Sequence, residues 1–139
     1  MKFKKVCAVV LMFLLCVCFP YCALANGLSQ LQTSKISDDE LTHYKEVYSI
    51  SRLDEELQNE TIKYFDVNNN GDIAIGRQTN DKGYVYIYDS DFNYICTYCL
   101  TSAGSYRIEW DNDNNLNIYY VRDYIVATYN AAGEIVNIE

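Results

Sequence analysis

Residues 65–76, FDVNNNGDIAIG, return 43 positions later and without a gap as residues 108–119, IEWDNDNNLNIY. Each copy reads as a strand, an Asn/Asp turn and a second strand, with Ile73 and Ile75 falling on Leu116 and Ile118. After a slip of two residues the match continues, YDSDFNYI (88–95) lying on YNAAGEIV (129–136). A supersecondary unit of roughly 40 residues has been duplicated, so the fold is to be built from two like parts.

The 139 residues suffice for one modest domain. Lys2, Lys4 and Lys5 precede an apolar run over 6–19, Pro20 ends it, and Ala23-Leu24-Ala25 puts small residues at −3 and −1. This is the form of a secretory signal with cleavage after Ala25. The run is short for a membrane span of about 20 residues; retention as an uncleaved anchor is the alternative. Cys7, Cys16, Cys18 and Cys22 all lie here, and none follows a small residue as a bacterial lipid-attachment cysteine does. The expectation is a secreted or cell-surface bacterial protein. The chain then divides into a signal (1–25), a flexible leader (26–36), a helical segment (37–60) and a two-repeat β domain (61–139). The repeats run over about 62–99 and 105–139.

Beyond residue 25, eight basic residues face nineteen acidic ones, a net charge of −11. Such a surface repels phosphate backbones and anionic lipid, which excludes nucleic acid and, once the signal is cleaved, membrane as partners. Only Cys96 and Cys99 remain, so a packed core rather than a disulfide framework must hold the domain.

Ser37-Asp38-Asp39-Glu40 has the capping-box form, and Leu41, Tyr44, Val47 and Tyr48 follow at spacings of three and four. These predict an amphipathic helix. A second cap, Ser51 with Asp54, predicts a further helix over SRLDEELQN; a short strand over 47–50 between the two is the alternative. From Ile62 onward the period becomes two. Eight strands are expected, over 62–67, 72–77, 84–89, 94–99, 105–110, 116–121, 124–129 and 134–138. The turns between them leave no room for crossover helices, so neighbours run antiparallel. Several strands are apolar on both faces: Tyr84, Tyr86 and Tyr88 oppose Val85 and Ile87. The expected fold is mainly β, an antiparallel meander of about eight strands in two stacked four-stranded sheets, with a short helical N-terminal segment on an outer face.

The order FDVNNNGDIAIG…YVYIYDSDFNYI resembles one blade of an NHL-type or related β-propeller, and IEWDNDNNLNIY…YNAAGEIV resembles it less closely. The likeness covers about half the chain and rests on turns and burial. Propellers close with about four to eight blades, so two copies are a fragment of such a ring, a protomer that completes its sheets by association, or a free-standing two-sheet domain. The resemblance implies a platform that binds a ligand or a protein.

Asp66, Asn68, Asn70 and Asp72 match the front of a calcium loop, D-x-N-x-N-G-x-I, and are the candidate metal ligands. Where that loop needs a bidentate carboxylate this chain has Arg77, and a strand pattern follows in place of a helix. A plain hairpin turn, in which Asn and Asp bond their own backbone, is the favoured reading. Cys96 and Cys99 have the spacing of a redox pair but end a strand, where residues three apart face opposite ways. They are expected either as two semi-buried free thiols or as a disulfide made by a local turn. His43, the only histidine, sits on the expected helix and leaves no Ser/His/Asp arrangement. Tyr84, Tyr86, Tyr88 and Trp110 are candidates for stacking on a carbohydrate or anchoring a partner protein, against the competing role of core packing. The function expected is a non-catalytic, exported interaction module, with a calcium-stabilised adhesion module as the alternative. Unpaired edge strands, the C-terminal one above all, are expected to favour self-association.

Overall fold

The computed structural model describes residues 31–56, 61–79, 82–101 and 104–139. The basic–apolar N-terminal segment, the first part of the leader and residues 57–60 lie outside them. Helix α1 (Asp38–Val47) precedes nine strands: β1 (Ile50–Leu53), β2 (Ile62–Val67), β3 (Ile73–Gln78), β4 (Gly83–Tyr88), β5 (Tyr94–Leu100), β6 (Tyr106–Trp110), β7 (Leu116–Tyr120), β8 (Ile125–Tyr129) and β9 (Ile135–Ile138). All pairings are antiparallel, in a five-stranded sheet ordered β1-β5-β4-β3-β2 and a four-stranded sheet ordered β6-β7-β8-β9.

The eight strands expected from the period of two are present, each within about a residue of its expected bounds. The ninth is β1, and it corrects the expectation of a helix opening at Ser51 and of two four-stranded sheets. Residues 50–53 are extended and pair with β5, from Ile50 opposite Leu100 to Leu53 opposite Thr97. A cap is worth about 1 kcal/mol, less than a whole ladder gained on an otherwise unpaired edge. The Thr101 hydroxyl donates to the carbonyls of Val47 (2.7 Å) and Ser49 (3.0 Å), which clamps the chain leaving α1 onto the end of β5. At the other end of α1 the Ser37 carbonyl accepts from the amides of Glu40 and Leu41, while the Ser37 hydroxyl donates to the Glu40 carboxylate.

The duplication holds down to register. Phe65 opposes Ile75 as Ile108 opposes Ile118, and Ile73 opposes Tyr88 as Leu116 opposes Tyr129. Even the bulge recurs, at Ile87/Tyr88 and at Thr128/Tyr129. Each sheet therefore has a corresponding front and back. The front carries Ile73, Ile75, Tyr86 and Tyr88 in the first repeat and Leu116, Ile118, Ala127 and Tyr129 in the second. The back carries Ala74, Val85, Ile87 and Cys96 in the first, and Asn117, Val126, Thr128 and Asn137 in the second.

The core forms where the front of the four-stranded sheet meets the back of the five-stranded one. On one side β2 lies alongside β6. There the Tyr106 hydroxyl donates between the carbonyls of Arg77 (2.6 Å) and Tyr84 (2.7 Å), and Asp66 accepts from the Trp110 amide at 2.7 Å. Gly83 is obligatory here, because a Cβ would stand 2.6 Å from the Tyr106 ring. On the other side α1 meets β9 and β1 meets β5. Tyr48, between them, tilts on Tyr120 with ring centroids 4.6 Å apart and accepts through its carbonyl from the Tyr129 hydroxyl at 2.6 Å. The helical segment thus closes the gap between two sheet edges instead of lying on an outer face.

Candidate functional site

The hairpins β2-β3, β4-β5, β6-β7 and β8-β9 share one turn, written four times at intervals of about 20 residues. Asn68, Asp89, Asp111 and Asn130 open it. In each, the Oδ1 atom accepts from the amides two and four residues on, at 2.8–3.0 Å. The other side-chain atom pairs with the side chain four residues on: Asp72, Asn93, Asn115 or Glu134. The fourth residue has a positive φ: Gly71 (87°), Phe92 (63°), Asn114 (60°) and Gly133 (80°). This is the Asn/Asp turn chemistry expected between strands, at half the 43-residue period. The signal that finds it is an Asn or Asp followed four residues later by Asp, Asn or Glu, with Gly or Asn between in three of the four. At Asp89, hydrogen bonds from the Asn93 side chain and backbone, with a further one from the Asp91 backbone, hold the carboxyl below its usual range against the opposing effect of desolvation.

The four turns gather at one end of the molecule. Asn69 donates from its backbone to the Asn114 side chain (3.1 Å) and from its amide to the Asn112 carbonyl (3.2 Å). Ser90 packs against Gly71, and the Tyr98 hydroxyl donates to the Ala131 carbonyl at 2.9 Å. Between them lies a cavity of about 170 Å³. Ile87, Ile95, Cys96, Tyr98, Trp110 and Leu116 supply its apolar wall, and the turn residues Asn70, Asp72 and Asn114 part of its rim. Burial pushes the Cys96 thiol and the Tyr98 hydroxyl up, Tyr98 to about 12, so both stay protonated. The Trp110 indole N–H is buried without a hydrogen-bond partner.

No family model, curated protein or solved structure matches this chain. Its chemistry therefore rests on its own geometry.

Of the four candidate calcium ligands, Asp66 turns away to the Trp110 amide, Asn68 Oδ1 holds two backbone amides, and Asp72 accepts from the Asn68 side chain. No group of three or more His, Cys, Asp or Glu suited to a metal occurs among the described residues. Cys96 and Cys99 are free thiols. Both lie in β5, which runs extended through Thr97 and Tyr98, so Cys96 is buried on the back and Cys99 half-buried toward the front. Tyr84, Tyr86 and Tyr88 share the front of the five-stranded sheet. Tyr86 is fully buried there, with the Arg77 guanidinium 4.7 Å above its ring. Trp110 belongs to the other sheet and to the cavity, so these four aromatics do not form one surface. His43 is exposed on α1 and does not line the cavity.

Proposed function

We propose that this chain is an exported, non-catalytic binding domain made of two propeller-blade-like sheets, and that the turn-end cavity is its recognition site for a sugar ring. The observation that carries this reading is the pairing of an aromatic and aliphatic wall with a rim of side-chain amides in a space of about 170 Å³. A sugar presents C–H faces to an aromatic ring and hydroxyls to amides. The volume is below that of a drug-sized pocket and suits one ring. The ionisable groups around it are tied up or held neutral, since Asp72 is bonded to Asn68 and the Cys96 thiolate is disfavoured. That favours binding over acid–base or nucleophilic chemistry. A net charge of −11 beyond residue 25 favours an uncharged ligand. The basic–apolar N-terminal run supports action outside the cell. The meander order of the four-stranded sheet and the like-facing stack of the two repeats support the blade reading.

Trp110 is the one tryptophan in the chain and lines the cavity, so its indole resonance and fluorescence report on the site directly. Titration with methyl glycosides of glucose, galactose and N-acetylglucosamine is expected to give a saturable response for at least one of them. The response should be confined to the Trp110 indole and the Asn70 and Asn114 side-chain amides. No response at Trp110 into the millimolar range, or saturable shifts only at other surfaces, would overturn the reading.

A further inference from the structure

An asparagine followed by glycine carries a chemistry of its own. The backbone nitrogen that follows an asparagine is placed to attack the asparagine's own side-chain carbonyl carbon, and a residue without Cβ leaves that nitrogen unshielded and its backbone free to turn. Among the described residues only Asn70 precedes a glycine; every other asparagine precedes a residue with a side chain. The corresponding positions of the other three turns are Asp91-Phe92, Asp113-Asn114 and Ala132-Gly133, so the pair belongs to the first turn alone. The chain's other Asn-Gly pair, Asn26-Gly27, lies outside the described residues.

The fold leaves Asn70 available. It is exposed at the tip of the β2-β3 hairpin. Its backbone amide donates to Asn68 Oδ1 at 2.9 Å, but its side chain makes no hydrogen bond to the described residues. The side chains of Asn68, Asn69 and Asn114 beside it are each engaged. One contact opposes the attack: the Gly71 N–H donates to the Asn68 carbonyl at 3.1 Å. A single turn hydrogen bond is worth about 1 kcal/mol, so it opens locally without unfolding either sheet.

We propose that Asn70 is a site of spontaneous deamidation whose conversion alters the mouth of the turn-end cavity. The Gly71 nitrogen loses its proton to solvent base and bonds to Asn70 Cγ; the side-chain nitrogen leaves as ammonia, and a succinimide ring remains. Water then adds to one of the two ring carbonyls and the ring C–N bond breaks. Opening at Cγ gives aspartate. Opening at the backbone carbonyl gives isoaspartate, in which the chain runs through the former side chain. Either product puts a new carboxylate on the rim beside Asp72, where Asn70 offers a neutral amide. Isoaspartate also adds a backbone carbon inside a turn that Asn68 Oδ1 spans, from the Asn70 amide to the Asp72 amide at 2.9 Å each. Asn69 ties this turn to Asn112 and Asn114 of the second repeat, and Gly71 packs against Ser90. A lengthened turn therefore loosens the contacts between hairpins that frame the cavity. The conversion stands apart from the sugar reading; only its effect on binding rests on that reading.

Incubation of the folded protein at neutral pH in heavy-oxygen water, followed by peptide mass mapping, tests it. Asn70 is expected to take up the label ahead of every other asparagine of the described residues, with isoaspartate the larger product. N70Q, whose longer side chain closes such a ring far less readily, should take up none there. In the aged protein the backbone resonances of Asn69 and Asn114 should move; in N70D, which gains the charge without the added carbon, they should stay closer to wild type. A methyl glycoside that binds the fresh protein should bind the aged one about tenfold more weakly. Mapping and resonances need no sugar, so a failure of the cavity reading shows separately, as absence of glycoside binding to the fresh protein. Label spread evenly over the asparagines, uptake at Asn70 only in denaturant, or unmoved Asn69 and Asn114 resonances after conversion would overturn the proposal.

Discussion

The turn residue that departs from its three counterparts is Phe92. The shared turn needs a left-handed residue in fourth place, and Gly71, Asn114 and Gly133 meet that need. Glycine pays no steric cost there and asparagine little, whereas other residues pay about 1–2 kcal/mol. At Gly133 the demand is also spatial, since a Cβ would stand 3.0 Å from the Tyr98 ring. Phe92 adopts φ 63° with its side chain 75 % exposed, so little packing compensates the strain. F92N, which borrows the residue of the third turn, should stabilise the protein by about 1 kcal/mol and raise the melting temperature by about 4–8 °C. A lower melting temperature would mean that the ring itself holds the turn. The Asn and Asp residues that build these turns are plain in the sequence. A phenylalanine held left-handed is not, because its own preference runs the other way.

The element least supported by its own residues is the α1-β1 segment. No residue of α1 is fully buried, and β1 is four residues long. Beside the β1–β5 ladder and the Thr101 clamp, the segment is held through Tyr48 and a chain of hydroxyls, the Tyr120 hydroxyl paired with that of Tyr129 (2.9 Å), which donates to the Tyr48 carbonyl. Y129F removes the middle link and leaves a buried carbonyl and a buried hydroxyl unsatisfied, at a cost of about 1–3 kcal/mol. Amide exchange should then accelerate over residues 50–53 and α1 before it does over β3 and β4. Uniform acceleration across both sheets would show that the segment unfolds only with the whole domain. The Ser51 cap pattern was misleading here because a strand edge 50 residues away, which no local window contains, competes for the same backbone.

At the scale of the whole molecule, the core is tied together by tyrosines whose hydroxyls must stay protonated. Burial raises Tyr48 and Tyr98 to about 12, helped by Asp123 beside Tyr48 and by Cys96 beside Tyr98. Burial and their mutual contact raise Tyr120 well above its usual value, and burial raises Tyr129 as well. An unfolded chain loses these protons near pH 10, while the folded one keeps them to about pH 12. Between those values unfolding releases protons, so the stability these groups contribute is intact below about pH 10 and falls from there upward. Tyrosinate absorbance in an alkaline titration should therefore rise in a step that coincides with loss of the near-ultraviolet dichroism. A gradual rise with the dichroism intact would mean that the buried hydroxyls ionise within the fold.

By itself the sequence determined the eight repeat strands, their antiparallel pairing, the turns and the duplication, because alternation and Asn/Asp turn chemistry are relations between residues two to four positions apart. It also placed Cys96 and Cys99 on opposite sides of one strand. Tertiary structure alone decided that Ile50–Leu53 pairs as a fifth strand, that Trp110 and Cys96 line one cavity, and that equivalent faces of the two repeats differ, one sealed by a sheet and one covered only in part. Those outcomes are set by contacts between residues tens of positions apart. Two copies of nearly the same local pattern, placed first and second in a stack, cannot have the same neighbours.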